Sequence, residues 1–198
     1  MVEAPIGELQ APKNFSHQHA QSFLEVYTSL LADPPGTPAG ILLLDLDFTL
    51  RKTFHHGMSG KFGEIPKASL DAIADLKERG WAIAIITNQP EKGHLVAEAL
   101  GSIRKYSYFP KALTEMKIPV FGGGPLFFVN RFKNRPESIN KVTQWARSQK
   151  QYAAQANIFS VGDKPSDVSF AKKLNQSLAG DGHTGSFTMF ELPLMGLN

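Results

Sequence analysis

The chain is predicted to be an α/β protein built on a parallel sheet with crossover helices, and three observations predict it. Short apolar runs, Ile41 to Leu44 and Trp81 to Ile86 among them, alternate with amphipathic segments of helical length. Polar residues gather where those runs end. The 198 residues, 42% of them hydrophobic, suit one globular domain with a full core and modest extensions.

Taken in order, residues 1–39 read as an N-terminal extension. Pro5, Pro12, Pro34, Pro35 and Pro38 bracket one helix from about Ser16 to Leu31, capped by Ser16 and carrying Phe23, Val26, Tyr27, Leu30 and Leu31 on one side. Residues 40–198 form the main domain. A strand over Ile41 to Asp45 leads through a polar loop to a helix from Pro66 to Arg79, with Gly80 as its stop and a strand from Trp81 to Thr87 after it. Pro90 to Leu100 is a second helix ended by Gly101, and Leu126 to Asn130 a short strand. The Gly-rich stretch Phe121 to Pro125 before it is a turn, since it opens no helix. Pro136 to Gln149 is a third helix, and Asn157 to Val161 a strand. A helix begins near Ser166 or Asp167 and runs to Leu174, and Ser186 to Pro193 is a last strand at the sheet edge, preceded by a turn over Gly182 to Gly185.

Composition narrows the function classes. The chain has no cysteine, which excludes disulfides and thiolate zinc sites and leaves oxygen or histidine as metal ligands. No apolar run approaches a membrane span and no leader pattern opens the chain, so a soluble, cytoplasmic protein is expected. A formal charge of +3 suits anionic substrates without arguing for nucleic acid.

Two carboxylates, Asp45 and Asp47, emerge where the most hydrophobic strand ends, and buried carboxylates need a cation or a charged partner. Thr87, Asn88 and Gln89 end the next strand, and Gly162, Asp163, Lys164 and Asp167 follow a third. In an open parallel sheet these strand ends meet in one crevice. Each group alone has an ordinary structural explanation, a turn or a helix cap; three together do not.

Asp45-x-Asp47-x-Thr49, Thr87-Asn88-Gln89 and Gly162-Asp163-Lys164-x-x-Asp167 resemble motifs I, II and IV of the haloacid dehalogenase (HAD) superfamily, over Gly40 to about Asn175. The Thr-Asn-Gln form of motif II is similar to the group of histidinol phosphate, heptose bisphosphate and polynucleotide 3'-phosphatases, with the phosphatidylglycerophosphate phosphatases nearby. The resemblance implies a three-layer Rossmann-like fold with a minimal cap and a Mg2+-dependent phosphomonoesterase. Asp45 would be the nucleophile that forms an aspartyl phosphate, and Asp47 the general acid and base. Mg2+ would be held by Asp45, the Asp47 carbonyl and Asp163, with Asp167 beside them. Thr87, Asn88 and Lys164 would bind the phosphate.

The residue types suit that chemistry independently of the resemblance. A carboxylate approaches a phosphate dianion only when a cation screens the repulsion, and a hard ion prefers oxygen ligands. Asp47 favours phosphoryl transfer, because carbon-halogen cleavage leaves no alkoxide to protonate.

Two positions depart from the pattern. Relatives place a Lys directly before the Pro that opens the motif III helix, but here Arg135 precedes Pro136, so either Arg135 or Lys133 fills that role. Phe48 stands where Gly or Asn is common. The loop from Asp47 to Pro66, with Arg51, Lys52, His55, His56 and Lys61, reads as a basic, mobile flap, with its adjacent histidines pointing opposite ways. No large cap fits before Thr87, and an insertion before Asp163 is confined to about Ser102 to Gly124, so large or extended phosphate esters are expected. A nucleic-acid 3'-phosphate, or a weakly active scaffold that docks a partner through the N-terminal helix, are the alternatives; oligomeric state is left open.

Overall fold

A computed structural model describes residues 14–32, 38–51, 53–54, 61–62, 64–88, 110–122, 133, 135–153 and 155–193. The expected helix Pro90 to Leu100, the strand Leu126 to Asn130 and the pair His55 and His56 lie outside the described residues.

The strands are β1 (Phe15–His19), β2 (Ile41–Leu44), β3 (Thr53–Phe54), β4 (Lys61–Phe62), β5 (Ala82–Ile86), β6 (Val120–Phe121), β7 (Ile158–Gly162) and β8 (Phe187–Glu191). The helices are α1 (Phe23–Leu31), α2 (Lys67–Glu78), α3 (Lys111–Glu115), α4 (Pro136–Ser148), α5 (Lys150–Ala153) and α6 (Pro165–Gly180). Six strands make one sheet in the order β1-β8-β7-β2-β5-β6, and every pairing in it is parallel. β3 and β4 form a separate antiparallel pair.

Helices cover both faces, which gives three layers of the Rossmann-like kind. The two-residue period of a strand divides the central side chains between them. Leu42 and Leu44 of β2, Ile83 and Ile85 of β5 and Val161 of β7 pack with Phe23, Val26 and Leu30 of α1 and with Ile73 and Leu76 of α2. Ile41 and Leu43, Ala84 and Ile86, and Ile158 point to the other side, against Val142 of α4 and Phe170, Leu174 and Leu178 of α6. Both faces of β2 are therefore dry, and this is why its sequence is an unbroken apolar run. Gly80 adopts φ 87° directly after α2, a left-handed position that suits glycine and turns the chain into β5.

From β2 the chain steps to β5 and β6 on one side, then returns to β7 and β8 on the other. The reversal lies between β2 and β7, and it opens a crevice at their carboxyl ends.

Three sequence expectations change. The segment Phe15–His19 is a strand, not the start of a helix, and α1 begins at Phe23 with Ser22, not Ser16, accepting the capping hydrogen bond from Glu25 N at 3.3 Å. What draws Phe15–His19 out of the helix is β8: Phe15 stacks on Phe187 and Ser16 Oγ donates to Thr188 Oγ1 at 2.9 Å. For the same reason β8 is not an edge strand, because β1 covers it. Of the span expected to hold a small insertion, residues 110–122 carry α3 and the edge strand β6, which pairs with β5, and the remainder lies outside the described residues.

No helix among the described residues is long and apolar enough to cross a membrane.

Because α1 contributes to the core and is no appendage, Phe23→Ala should cost about 3–5 kcal/mol. Urea unfolding followed by circular dichroism measures it, and a loss well under 1 kcal/mol would show that α1 is only loosely attached.

Candidate active site

Asp45 continues the β2 ladder for one more residue, its N–H donating to Val161 O at 2.9 Å. Its carboxylate therefore leaves the sheet at the β2–β7 reversal. The next residues curl into a tight turn: Leu50 N and Arg51 N both donate to Leu46 O, and Phe48 N donates to Arg51 O at 2.7 Å. Leu46 and Leu50 sink into the core, so the intervening polar side chains face the crevice. Phe48 holds the turn with φ 65°, left-handed backbone in a bulky residue, a conformation that Gly or Asn adopts at less cost.

Asp167 sits in the first turn of α6 and ties the second wall together. Its Oδ2 accepts from Asp163 N and Lys164 N, each at 3.0 Å, satisfying two amides at the helix start. Its Oδ1 accepts from Lys133 Nζ at 2.6 Å. A Cβ on Gly162 would lie 2.5 Å from Asp167 Cβ, so the absence of a side chain there is what lets Asp167 come so close.

Lys133 is buried and spans the crevice, donating from Nζ to Asp45 Oδ1 as well as to Asp167. Its backbone N–H donates to Asn88 Oδ1 at 3.1 Å. The side chain of Asn88 thus ties Lys133 to the end of β5, while the group expected at the phosphate is its backbone amide. Arg135 is exposed at the N-cap of α4, outside this cluster. Of the two motif III candidates, Lys133 is the one at Asp45.

Thr49 Oγ1 lies 3.4 Å from both Asp45 Oδ2 and Asp163 Oδ1. Lys164 Nζ stands 3.8 Å from Asp163 Oδ2 and 4.6 Å from the Phe48 ring centre, at the mouth. Asp45, Asp47, Phe48, Thr87, Asn88, Lys133, Lys164 and Asp167 line one small, solvent-open cleft with room for about 60 Å3.

Sequence reasoning missed Arg51 as a site residue by assigning it to the flap. It is buried, and its Nε donates to Asp47 Oδ1 at 2.8 Å. The four-residue spacing of opposite charges was the available signal. Thr49 was visible in the motif without a role; it bridges the two carboxylates.

Burial raises Asp45 from its ordinary 3.8 to about 7, against the pull of Lys133 and with help from Asp167 and Asp163. Asp163 is raised as well, chiefly by burial. For Lys133, burial works against the charge, but Asp45 and Asp167 outweigh it and hold the ammonium form. On the Asp163 side the cation, Lys164, stands at 3.8 Å, beyond hydrogen-bonding distance. Asp163 Oδ2 is buried without a hydrogen-bond partner among the described residues. One ligand atom from each of Asp45, Asp163 and Asp167 lies within 4.8 Å of the others. An all-oxygen donor set with an orphaned carboxylate oxygen fits a hard divalent cation such as Mg2+. Asp45 and Asp163 are the better ligands, since both oxygens of Asp167 are already engaged.

Gly162→Ala should push Asp167 off the lysine, lowering the melting temperature and weakening divalent-cation binding together; unchanged cation affinity by calorimetry would contradict the packing argument. A second expectation concerns pH. Asp45 titrates higher folded than unfolded, so the unfolded chain releases its proton first as pH rises. In metal-free protein this contribution is fully present below 3.8 and is lost as pH rises to about 7. Melting temperature across that range should therefore fall less steeply in Asp45→Asn than in the parent chain, and less steeply with Mg2+ present.

Among known proteins the chain matches no family model and no curated sequence, so its chemistry rests on these residues and their geometry.

Proposed function

We propose that the chain is a cytoplasmic, Mg2+-dependent phosphomonoester hydrolase that works through an aspartyl phosphate on Asp45. The observation that carries this reading is the pairing of buried Asp45 with Lys133 beside an Asp163 oxygen that accepts no hydrogen bond from the described residues, at the strand reversal where a parallel sheet binds its ligands. Among the described residues four carboxylates, Asp45, Asp47, Asp163 and Asp167, face three cations, Arg51, Lys133 and Lys164, a balance that disfavours a phosphate dianion. A divalent ion reverses that balance.

In this scheme Asp45 Oδ attacks phosphorus, and the bond to the ester oxygen breaks as Asp47 donates a proton to the departing alkoxide. Asp47 then takes a proton from the water that cleaves the acyl phosphate, releasing inorganic phosphate and restoring Asp45. Arg51 fixes the Asp47 carboxylate in place for both transfers. Lys133 orients Asp45 and offsets its charge, and Asp167 acts behind the lysine as a positioning residue. The Thr87 hydroxyl, the Asn88 backbone and Lys164 line the side from which phosphoryl oxygens would be received. Mg2+, held by Asp45, Asp163 and the Asp47 carbonyl, would supply the charge that lets two anions meet. A mouth formed by Phe48 and Lys164 suits large or extended esters that project beyond it.

Hydrolysis of an aryl phosphate with Mg2+ tests the proposal. Turnover should require the ion and fall on the order of 10³-fold or more in Asp45→Asn. Absence of turnover, or turnover that survives Asp45→Asn, would overturn the mechanism. A panel of phosphosugars, lipid phosphates and 3'-phosphorylated oligonucleotides then separates the substrate classes.

A further inference from the structure

Two strands from the cleft, the ends of β1 and β8 carry a second group of metal-ligating side chains. Residues i and i+2 of a strand share a face, so His17 and His19 lie on one side of β1 in line with Phe15. Glu191 ends β8 on the same side as Phe187 and Met189, and it is the register partner of His19. At the buried end of this row Phe15 stacks on Phe187; at the open end the aromatic pair gives way to two imidazoles and a carboxylate.

His17 Nε2 is 2.9 Å and His19 Nδ1 3.9 Å from the same oxygen, Glu191 Oε2, and the imidazole rings are 5.2 Å apart. One ligand atom from each residue lies within 4.8 Å of the others. A simple ion pair needs only His17. The second imidazole is turned to the same oxygen from beyond hydrogen-bonding distance and adds little to such a pair. The separations do suit a shared ion: ligands about 2.0–2.1 Å from a tetrahedral Zn2+ stand roughly 3.3 Å apart, between the two distances observed.

We propose that His17, His19 and Glu191 form a transition-metal site, for Zn2+ by its two imidazoles and one carboxylate, which clamps β1 to β8. The donor set separates it from the cleft. Imidazole nitrogen selects Zn2+ and its neighbours over Mg2+, whereas the Asp45, Asp163 and Asp167 group offers oxygen alone. Its place suggests its effect. β1 joins the sheet through a partner 172 residues away in sequence, as in the Ser16 to Thr188 contact, so an ion bridging the two strands closes nearly the whole chain.

Zn2+ titration against a chromophoric chelator, in the full chain carrying Asp163→Asn to weaken the cleft, tests the site. One Zn2+ should bind per chain, raise the melting temperature and resist competition by Mg2+. His19→Gln alters a side chain that is 77% exposed and carries little of the fold, yet it should weaken Zn2+ binding by at least about tenfold and cancel the Zn2+-dependent rise. His17→Gln should do the same. Zn2+ affinity unchanged in both histidine variants, or no Zn2+ bound in the Asp163→Asn chain, would overturn the proposal.

Discussion

The ammonium group of Lys133, buried between Asp45 and Asp167, is the contact on which the rest of the site depends. Three separate parts of the chain meet there: the end of β2, the first turn of α6 and the residue that precedes α4 by a short step. None of the charges tolerates burial alone, and removing one member of such a buried group typically costs about 3–5 kcal/mol because the others are left uncompensated. The contact therefore reports that the sheet order is correct. β7 must lie beside β2 for Asp167 and Asp45 to share one lysine, and Asn88 must end β5 on the other side to hold that lysine's backbone.

The same grouping leaves its own imbalance. Asp167 spends both oxygens on the lysine and on two amides, and Asp45 gives one to the lysine and the other to Thr49, so among the carboxylates of the cluster the orphaned acceptor is Asp163 Oδ2. In the proposed mechanism that orphaned oxygen is where the divalent cation would be held.

How much of this was legible in the sequence follows from how local each signal is. β2, β5 and β7 are buried on both faces, so unbroken apolar runs mark them, and Gly80 marks the end of α2 within a residue or two. The motifs at their ends carry the carboxylates of the site for the same reason. β1 escaped because Phe-Ser-His-Gln-His has no apolar run; only its pairing with β8, at the far end of the chain, makes it a strand. Lys133 and Arg135 could not be separated by spacing to Pro136, since which of the two is buried depends on contacts with Asp45, Asp167 and Asn88, all distant in sequence. Arg51 was legible as a charge but not as a buried one, because the turn from Leu46 to Arg51 folds it back onto Asp47.

That turn is closed by Phe48 in a left-handed conformation, at a cost of roughly 1–2 kcal/mol. The strain is confined to one backbone position, while the ring it carries forms a wall of the cleft and supports Lys164. Position 48 consequently works as a single-residue dial on the size of the entrance. A glycine there would relax the backbone and widen the opening in one step, away from the contact of Lys133 with Asp45 and Asp167.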